Sequence, residues 1–404
     1  MVHAFGRLLL IVAPLASLAL ACVDTPDPMD AGLGDVADVA PPRSEEEITD
    51  RLFFESQMRE GRLPGLAVAV VGPEGILWSS TYGVSDVATG ELVQEDTLFG
   101  VASVSKLVVG LLLMQSVEAG ELALGDDAEQ HLSHTLSHPL HPNEAMSVRS
   151  LATHTSGIRD SLSLFVRGFV DGDPEEDLGV FTRSYVEDGG GFYSSENFGE
   201  EAPGASYAYA NMGFALLGHA LEGATGRDFR SLSATLLESL SMDGRFFLAD
   251  VDPARLSVSY GAGVDSYDSV QTGTLYYPAG GLMGSLEDMS RLLRVFMNDG
   301  ELDGVRVVEP ESVALMEQVA NPSLNARRGV SMNSTLIEGV SMHGHNGAGV
   351  GSSADVWYGP DFGVVVLSNS NAYVRRRLGD DTGSDTMSAI RAYVTRRALQ
   401  LVGD

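Results

Sequence analysis

The sequence predicts an α/β protein of the α+β kind, in which helices flank one antiparallel sheet built from both ends of the chain. Strand patterns lie near the two ends, at residues 65–82 and 354–368, and helical patterns occupy most of the chain between them. One helix, at 103–119, has an apolar body and must be buried on every side. We therefore expect one domain over residues 45–404, with a mainly helical insertion at roughly 103–260.

The composition is that of a globular protein with an acidic surface. Of the 404 residues, 44% are hydrophobic and 20% are charged, which excludes a largely disordered chain. The formal net charge of -31 argues against nucleic acid, or an anionic membrane surface, as a partner of the folded domain, because like charges repel.

The first 21 residues are typical of a secretory signal peptide. Arg7 precedes an apolar run at 8–20 that is too short to span a membrane. Residues 18–22 resemble the lipobox of bacterial lipoproteins, so Cys22, the only cysteine, is the candidate lipid attachment site. We expect an exported protein of the bacterial cell envelope, in the periplasm or at the cell surface, anchored to the membrane by a lipid and joined to it by a flexible acidic tether at 22–44.

Local patterns predict the elements of the domain. A helix is expected at 45–60, and two strands at 65–71 and 76–82 form a hairpin across a Gly-Pro-Glu-Gly turn. The buried helix at 103–119 ends at Gly120. The acidic, glycine-rich stretch 171–201 is expected to be a surface excursion. Further helices are predicted at 212–225, 230–240, 286–298 and 384–401, and further strands at 354–357 and 363–368.

The buried helix begins with the first candidate for chemistry. Lys106 is the only lysine of the chain, since the other 24 of its 25 basic residues are arginines, and it lies three residues after Ser103. A desolvated lysine can lose its proton and act as a base, whereas arginine stays protonated. A base one helical turn from a serine hydroxyl can activate that serine as a nucleophile. At the start of a helix, the positive end of the dipole favours developing negative charge.

Two further segments carry candidate residues. Tyr209-Ala210-Asn211 stands directly before an apolar helix, where a tyrosine hydroxyl can point into a cleft and relay a proton. His345 is followed by Asn346-Gly347-Ala348-Gly349 at the head of the last strands. Glycines at a strand edge let a substrate approach the backbone closely and leave N–H groups free to donate.

Taken together, the three segments resemble the serine β-lactamase and penicillin-binding protein superfamily, whose motifs S-x-x-K, Y-x-N and H-x-G occur in this order. The flanking sequences agree, because residues 151–158 resemble the L-L-T-H-T-S-G-L run of the class C branch, and residues 278–282 and 286–289 resemble its G-G-L segment and following helix. The resemblance spans roughly 46–370. It implies a β-lactamase-like fold and the chemistry of a serine hydrolase.

The resemblance also implies roles. Ser103 corresponds to the acylated nucleophile, and Lys106 and Tyr209 to the pair that takes and returns its proton, with the choice of base left open. Asn211 corresponds to the residue that binds the substrate amide. His345, Gly347 and Ala348 correspond to substrate-binding positions, and the N–H groups of Ser103 and Ala348 to the oxyanion hole.

His345 is a departure from the β-lactamase pattern, in which lysine usually stands at this position. Histidine is common there in D,D-carboxypeptidases, D-aminopeptidases and esterases of the family, and at neutral pH it offers less fixed charge to a substrate carboxylate. Asn346 also replaces a hydroxyl residue that often helps to bind the carboxylate. The order of preference is therefore a D-Ala-D-Ala carboxypeptidase, then a carboxylesterase, then a β-lactamase. A penicillin-binding or peptidoglycan-sensing protein with slow turnover is the alternative of another class.

The expected partners are a small-molecule or peptidoglycan-derived substrate and, through the lipid, a membrane. No cofactor and no metal are expected. Although His131, His134, His138 and His141 have metal-like spacing, prolines interrupt any single helix through them, which favours a surface loop. His154 is expected to be a structural hydrogen-bonding residue. The run Ser195-Glu196-Asn197 is a weaker rival for the second motif.

Overall fold

The computed structural model describes residues 44–262, 267–270, 272–376 and 379–403. The predicted signal peptide, Cys22 and the predicted tether as far as residue 43 lie outside the described residues. Within these ranges, no helix is both long and apolar enough to cross a membrane.

The described residues form eleven helices and fifteen strands. The helices are α1 (Glu45–Gly61), α2 (Ser105–Glu118), α3 (Val148–Ala152), α4 (Leu162–Arg167), α5 (Leu178–Val186), α6 (Asn211–Thr225), α7 (Phe229–Ser239), α8 (Leu286–Met297), α9 (Pro310–Glu317), α10 (Ala372–Arg375) and α11 (Thr382–Gly403). The strands are β1 (Gly65–Gly72), β2 (Gly75–Asp86), β3 (Glu91–Leu92), β4 (Phe99–Gly100), β5 (Phe169–Asp171), β6 (Tyr260–Ala262), β7 (Tyr267–Ser269), β8 (Thr272–Thr274), β9 (Met283–Gly284), β10 (Glu301–Leu302), β11 (Val305–Arg306), β12 (Asn333–Ile337), β13 (Val340–Gly349), β14 (Ser352–Tyr358) and β15 (Gly363–Ser368).

The main sheet confirms the predicted fold class. Seven strands pair antiparallel in the order β12-β13-β14-β15-β1-β2-β3. The first and last long strands are neighbours, with Leu66 opposite Ser368 and Val71 opposite Gly363. The hairpin near the start of the chain, extended by the short β3, therefore completes a sheet whose other four strands come from its end.

Alternation along β1 explains why helices cover both faces of the sheet. Leu66, Val68 and Val70 face one apolar cluster, which includes side chains of α1 and α11. The intervening Ala67 and Ala69 belong to the larger cluster, which contains α2, α6 and α8. Since successive side chains of a strand point to opposite faces, a strand that is apolar throughout must be covered on both sides.

Helix α2 is buried on every side, as its sequence predicts. Every residue from Leu107 to Met114 is buried. The predicted start at residue 103 differs by two residues from the observed one, because a 3₁₀ turn at Ala102–Val104 precedes the α-helix. This turn carries Ser103 and places it at the surface end of a rigid apolar helix.

The stretch 171–201 packs more deeply than a surface excursion. It contains α5, and Phe181, Tyr185, Phe192 and Phe198 are buried in the larger cluster. The many carboxylates and glycines of this segment are typical of a surface loop. Its aromatic side chains nevertheless attach it to the core.

Candidate active site

The turn that carries Ser103 is held in an uncommon conformation. Ala102 has a φ of 47°, in the left-handed region that a residue with a side chain rarely adopts. The Ser105 hydroxyl supports it by donating to the Ala102 carbonyl at 2.6 Å and accepting the Leu282 N–H at 3.0 Å. Strain of this kind persists where the surroundings enforce it, and here it positions the Ser103 hydroxyl.

Lys106 is completely buried, and its amine has three neighbours. Nζ lies 3.1 Å from Ser103 Oγ, 2.9 Å from Asn211 Oδ1 and 2.6 Å from the Ala279 carbonyl oxygen. Burial holds the pKa of Lys106 well below its usual value, while the nearby Asp160 carboxylate opposes this shift. In its neutral form the amine can donate both hydrogens to these two carbonyl oxygens, which only accept, and its lone pair would then face Ser103.

Tyr209 approaches the same hydroxyl, with its phenol oxygen 2.8 Å from Ser103 Oγ. Desolvation raises the pKa of Tyr209 to about 12, against the opposing effect of the Arg328 guanidinium. The phenol is therefore protonated at neutral pH and can donate. The structure thus brings Ser103, Lys106 and Tyr209 into one hydrogen-bonded group.

Asp160 is a site residue that the sequence did not reveal. Its carboxylate accepts the Asn211 backbone N–H at 2.9 Å, the Asn211 side-chain amide at 2.9 Å and the Met212 N–H at 3.0 Å. It thereby caps the start of α6 and fixes the Asn211 amide, whose oxygen in turn receives Lys106. The resemblance assigns Asn211 to binding of the substrate amide. In this structure its side chain donates to Asp160 and accepts from the Lys106 amine.

Strand β13 packs tightly against the turn of the nucleophile. A Cβ added to Gly347 would lie 2.2 Å from the Val101 carbonyl oxygen, and one added to Gly349 would lie 3.1 Å from Ala102 Cβ. Only glycine allows this approach. It places the exposed Ala348, between the two glycines, beside the segment that carries Ser103.

His345 is buried, with 2% of its surface exposed. Its Nδ1 lies 2.6 Å from the Asn346 carbonyl oxygen, which can only accept, so Nδ1 carries the proton. Burial lowers the pKa of His345 well below its usual value. A neutral ring with an Nε2 lone pair therefore stands at this position, and it offers no positive charge to a substrate carboxylate.

His154 packs against Tyr209, with ring centroids 4.3 Å apart. Its Nδ1 accepts the Ala210 N–H at 3.1 Å, and burial holds its pKa well below the usual value. His154 has a φ of 58° and ties the segment before α6 to the rest of the site. These contacts are those of a structural hydrogen-bonding residue.

The remaining sequence candidates lie elsewhere. The Asn197 amide donates to the carbonyls of Tyr185 and Phe192, so the rival second motif is a structural turn. The expectation of a surface loop for the four clustered histidines is wrong for His134 and His138, which are buried. Among the described residues, no group of three His, Cys, Asp or Glu side chains is arranged to hold a metal.

Arg328 is the second site residue that sequence reasoning missed. Its guanidinium lies 5.5 Å from the centre of the Tyr209 ring, and only 3% of the residue is exposed. No local sequence pattern identifies Arg328 as a site residue, because it is one arginine among many and lies in a stretch without a helix or strand.

Two cavities adjoin the site. One, of about 210 Å³, includes Tyr207 and Arg328 in its lining. The other, of about 100 Å³, is bounded by Ala102, Gly280 and Gly349. Its further lining is mixed, with apolar residues that include Phe169, Phe246, Leu248, Leu256, Tyr277 and Met283, and polar residues that include Asp173, Ser257 and Thr274.

Comparisons with known proteins identify the family and agree with the fold. The family model described as Beta-lactamase matches residues 51–384. The chain is similar to Penicillin-binding protein 4 of Amycolatopsis lactamdurans, at 27% identity over 80% of this chain and 84% of that protein. It is similar to Esterase EstB of Burkholderia gladioli at 31% identity, over 51% of this chain and 53% of the esterase. The structure of a penicillin binding protein from Bacillus halodurans has a TM-score of 0.65 at 22% identity, over 84% of this chain and 98% of that one.

Proposed function

Because the chain belongs to the Beta-lactamase family, we propose that it hydrolyses amide or ester bonds through an acyl-enzyme on Ser103. One observation carries the proposal: the Ser103 hydroxyl lies 3.1 Å from a buried amine and 2.8 Å from a phenol. A serine between a proton acceptor and a proton donor is equipped both to attack a carbonyl and to release a leaving group.

In the acylation step, the neutral Lys106 amine takes the Ser103 proton while Oγ attacks the carbonyl carbon. The negative charge that develops on the carbonyl oxygen is received by the N–H groups of Ser103 and Ala348. The loss of one such donor costs about 100- to 1000-fold in kcat in other serine hydrolases. The Tyr209 phenol then protonates the leaving group and regains a proton from Lys106, so the pair ends as it began.

In the deacylation step, a water molecule takes the place of the leaving group, and the same pair removes one of its protons. Attack on the acyl-enzyme releases the acid and returns a proton to Ser103. Asp160 assists both steps indirectly, because it fixes the Asn211 oxygen that holds one hydrogen of Lys106 away from the nucleophile.

For the substrate, we propose peptides ending in D-Ala-D-Ala as the first class. The likeness to Penicillin-binding protein 4 supports this choice, as does the predicted export to the cell envelope, which would place the enzyme beside peptidoglycan. An efficient β-lactamase ranks lower, because the neutral, buried His345 does not supply the positive charge that lysine gives at this position.

A carboxylesterase is the second candidate, and the cavity beside Ala102 favours it. Its apolar residues Phe169, Phe246 and Leu256 can pack against a small apolar acyl group, and Asp173 in the same lining disfavours an anionic one. The match to Esterase EstB, which spans about half of that protein, points the same way. A protein that acylates without turnover remains the alternative of another class.

Intact-mass measurement after exposure to a penicillin, a short-chain aryl ester and a D-Ala-D-Ala peptide tests the proposal. We expect a covalent adduct with at least one of them, and none with Ser103→Ala. Steady product release with the peptide would identify a carboxypeptidase, release with the ester alone an esterase, and a stable adduct without release a binder. An adduct that persists in Ser103→Ala would remove Ser103 from its role.

Replacing Asp160 with asparagine should lower the maximal rate and move the acid limb of kcat/KM to lower pH. Lys106 acts as a base only when unprotonated, so activity falls as the pH drops through its pKa. The Asp160 charge raises that pKa, and its removal lowers it further. The displaced Asn211 should cost about 10-fold or more in rate, as expected for hydrogen bonds to a charged group.

The pH profile of aryl-ester hydrolysis measures both effects, because kcat/KM reports groups of the free enzyme. Asp188→Asn is the control, since it removes the same charge from an exposed position. An acid limb that stays in place or moves to higher pH would contradict the link between Asp160 and Lys106.

A further inference from the structure

The segment that carries Tyr209 has no regular structure of its own. Residues 205–210 belong to neither a helix nor a strand. Among the described contacts, the two backbone hydrogen bonds that residues 206–210 donate are both accepted by His154. The Tyr209 hydroxyl lies at the end of a long side chain, so a small rotation of this backbone would carry it away from Ser103.

His154 contacts the segment at three consecutive positions. Its carbonyl oxygen accepts the Ala208 N–H at 2.9 Å, and its Nδ1 accepts the Ala210 N–H at 3.1 Å. These two alanines flank Tyr209, and the imidazole packs against the ring between them, with centroids 4.3 Å apart. One residue therefore holds both the peptide neighbours and the ring of the tyrosine.

The imidazole is itself held in place. Only 2% of His154 is exposed, and its ring lies 5.2 Å from the Phe214 ring of α6 and 6.0 Å from the Tyr207 ring. Burial holds the pKa of His154 well below its usual value, so the ring is neutral at neutral pH. A neutral ring can keep a lone pair on Nδ1, which the bond from Ala210 requires.

A simpler role for His154 is to end α3. Its φ of 58° is left-handed, and it directly follows Thr153, the last residue of that helix end. Glycine or asparagine commonly takes such a position. This role needs only the backbone conformation, and it leaves the bond between the side chain and Ala210 without a use. The two roles therefore predict different effects of substitution.

We propose that His154 is a positioning residue for the reaction, which holds the Tyr209 phenol within hydrogen-bond reach of Ser103 Oγ by accepting the Ala210 N–H. It acts through Tyr209, the proton donor of the proposed function, on which this inference rests. A displaced phenol should slow the release of a leaving group that needs a proton, and should have little effect on one that departs without it.

Two variants separate the side-chain acceptor from the helix end. Glycine and asparagine both tolerate the left-handed conformation, but only asparagine keeps an acceptor bonded to Cγ, as Nδ1 is. Ethyl acetate and 4-nitrophenyl acetate share an acyl group, and only the ethoxide must be protonated to leave. His154→Gly should lower kcat/KM for ethyl acetate about 10- to 100-fold, the range for a small misplacement of a catalytic group. It should change the rate with 4-nitrophenyl acetate little, and His154→Asn should restore most of the loss.

Ser241→Gly is the matched control. Ser241 is exposed and also follows a helix end with a left-handed φ, of 53°, so its replacement should change neither rate. In the Tyr209→Phe background, His154→Gly should no longer alter the ratio of the two rates, because both changes act on one group. Equal losses with both esters, or an asparagine variant no better than glycine, would overturn the inference and leave His154 with the end of α3.

Hydrogen exchange tests the contact without catalysis. In the Ser103→Ala background, the Ala210 amide should exchange slowly, faster with His154→Gly, and slowly again with His154→Asn, because a lost hydrogen bond exposes the N–H. Unchanged exchange in His154→Gly would overturn the inference even in an active enzyme. A wild type that hydrolyses neither ester nor the D-Ala-D-Ala peptide would contradict the proposed function, whereas the exchange rates would still show whether His154 holds the tyrosine.

Discussion

Replacing Lys106 with arginine should abolish acylation of Ser103, with kcat/KM falling on the order of 10⁴-fold or more, as for the loss of a catalytic base. The guanidinium keeps the positive charge but stays protonated, so it has no lone pair to offer the serine. Lys106→Met, which has nearly the same length and no charge, should be equally inactive. Retention of wild-type rates by the arginine variant would show that the site needs only a cation.

The state of the amine can be measured directly. Because Lys106 is the only lysine of the chain, protein labelled with ¹³C at lysine Cε gives one such resonance. It should titrate well below the ordinary pKa of lysine, because desolvation disfavours the ammonium form. This measurement does not depend on how the larger arginine fits the buried space. A resonance that titrates at the ordinary value would remove Lys106 as the base.

The sequence was sufficient for four of the seven strands of the main sheet, β1, β2, β14 and β15, and for the three motifs, because these depend on local patterns. The apolar run of β1 and the turn after it define the hairpin, and the strands at the other end of the chain are equally clear. Lys106 stood out because no other lysine competes with it. The order of the motifs then supplied Tyr209 and His345, although they lie far from the nucleophile along the chain.

Asp160 and Arg328 could not be predicted, because their roles come from long-range contacts. Asp160 is one of 56 acidic residues, and only the fold brings its carboxylate to the start of α6. Burial is also a tertiary property. Burial makes His345 neutral and lowers the pKa of Lys106. The spacing of residues in a motif cannot predict this burial.

Replacing Tyr209 with phenylalanine should have the second large effect, a loss of about 100- to 10,000-fold with amide substrates, the range for a general acid or base. The change removes the oxygen 2.8 Å from Ser103 and keeps the ring, with its contacts to His154 and Arg328. Tyr207→Phe is the matched control, because among the described residues its hydroxyl makes only the long contact to Arg328. Single-turnover rates with both substrate types measure the effect.

The loss of rate in Tyr209→Phe should depend on the leaving group. This dependence shows which of Lys106 and Tyr209 is the base and which is the proton donor. An amine must be protonated to leave, whereas an aryl oxide can depart without a proton. If Lys106 is the base and Tyr209 the donor, Tyr209→Phe should slow amide cleavage far more than aryl-ester cleavage, and the acid limb due to Lys106 should persist with the ester. If Tyr209 were the base instead, attack itself would fail, and both substrates would lose the same factor. The pKa of about 12 for Tyr209 and the lowered pKa of Lys106, whose amine lies 3.1 Å from Ser103 Oγ, favour the first outcome.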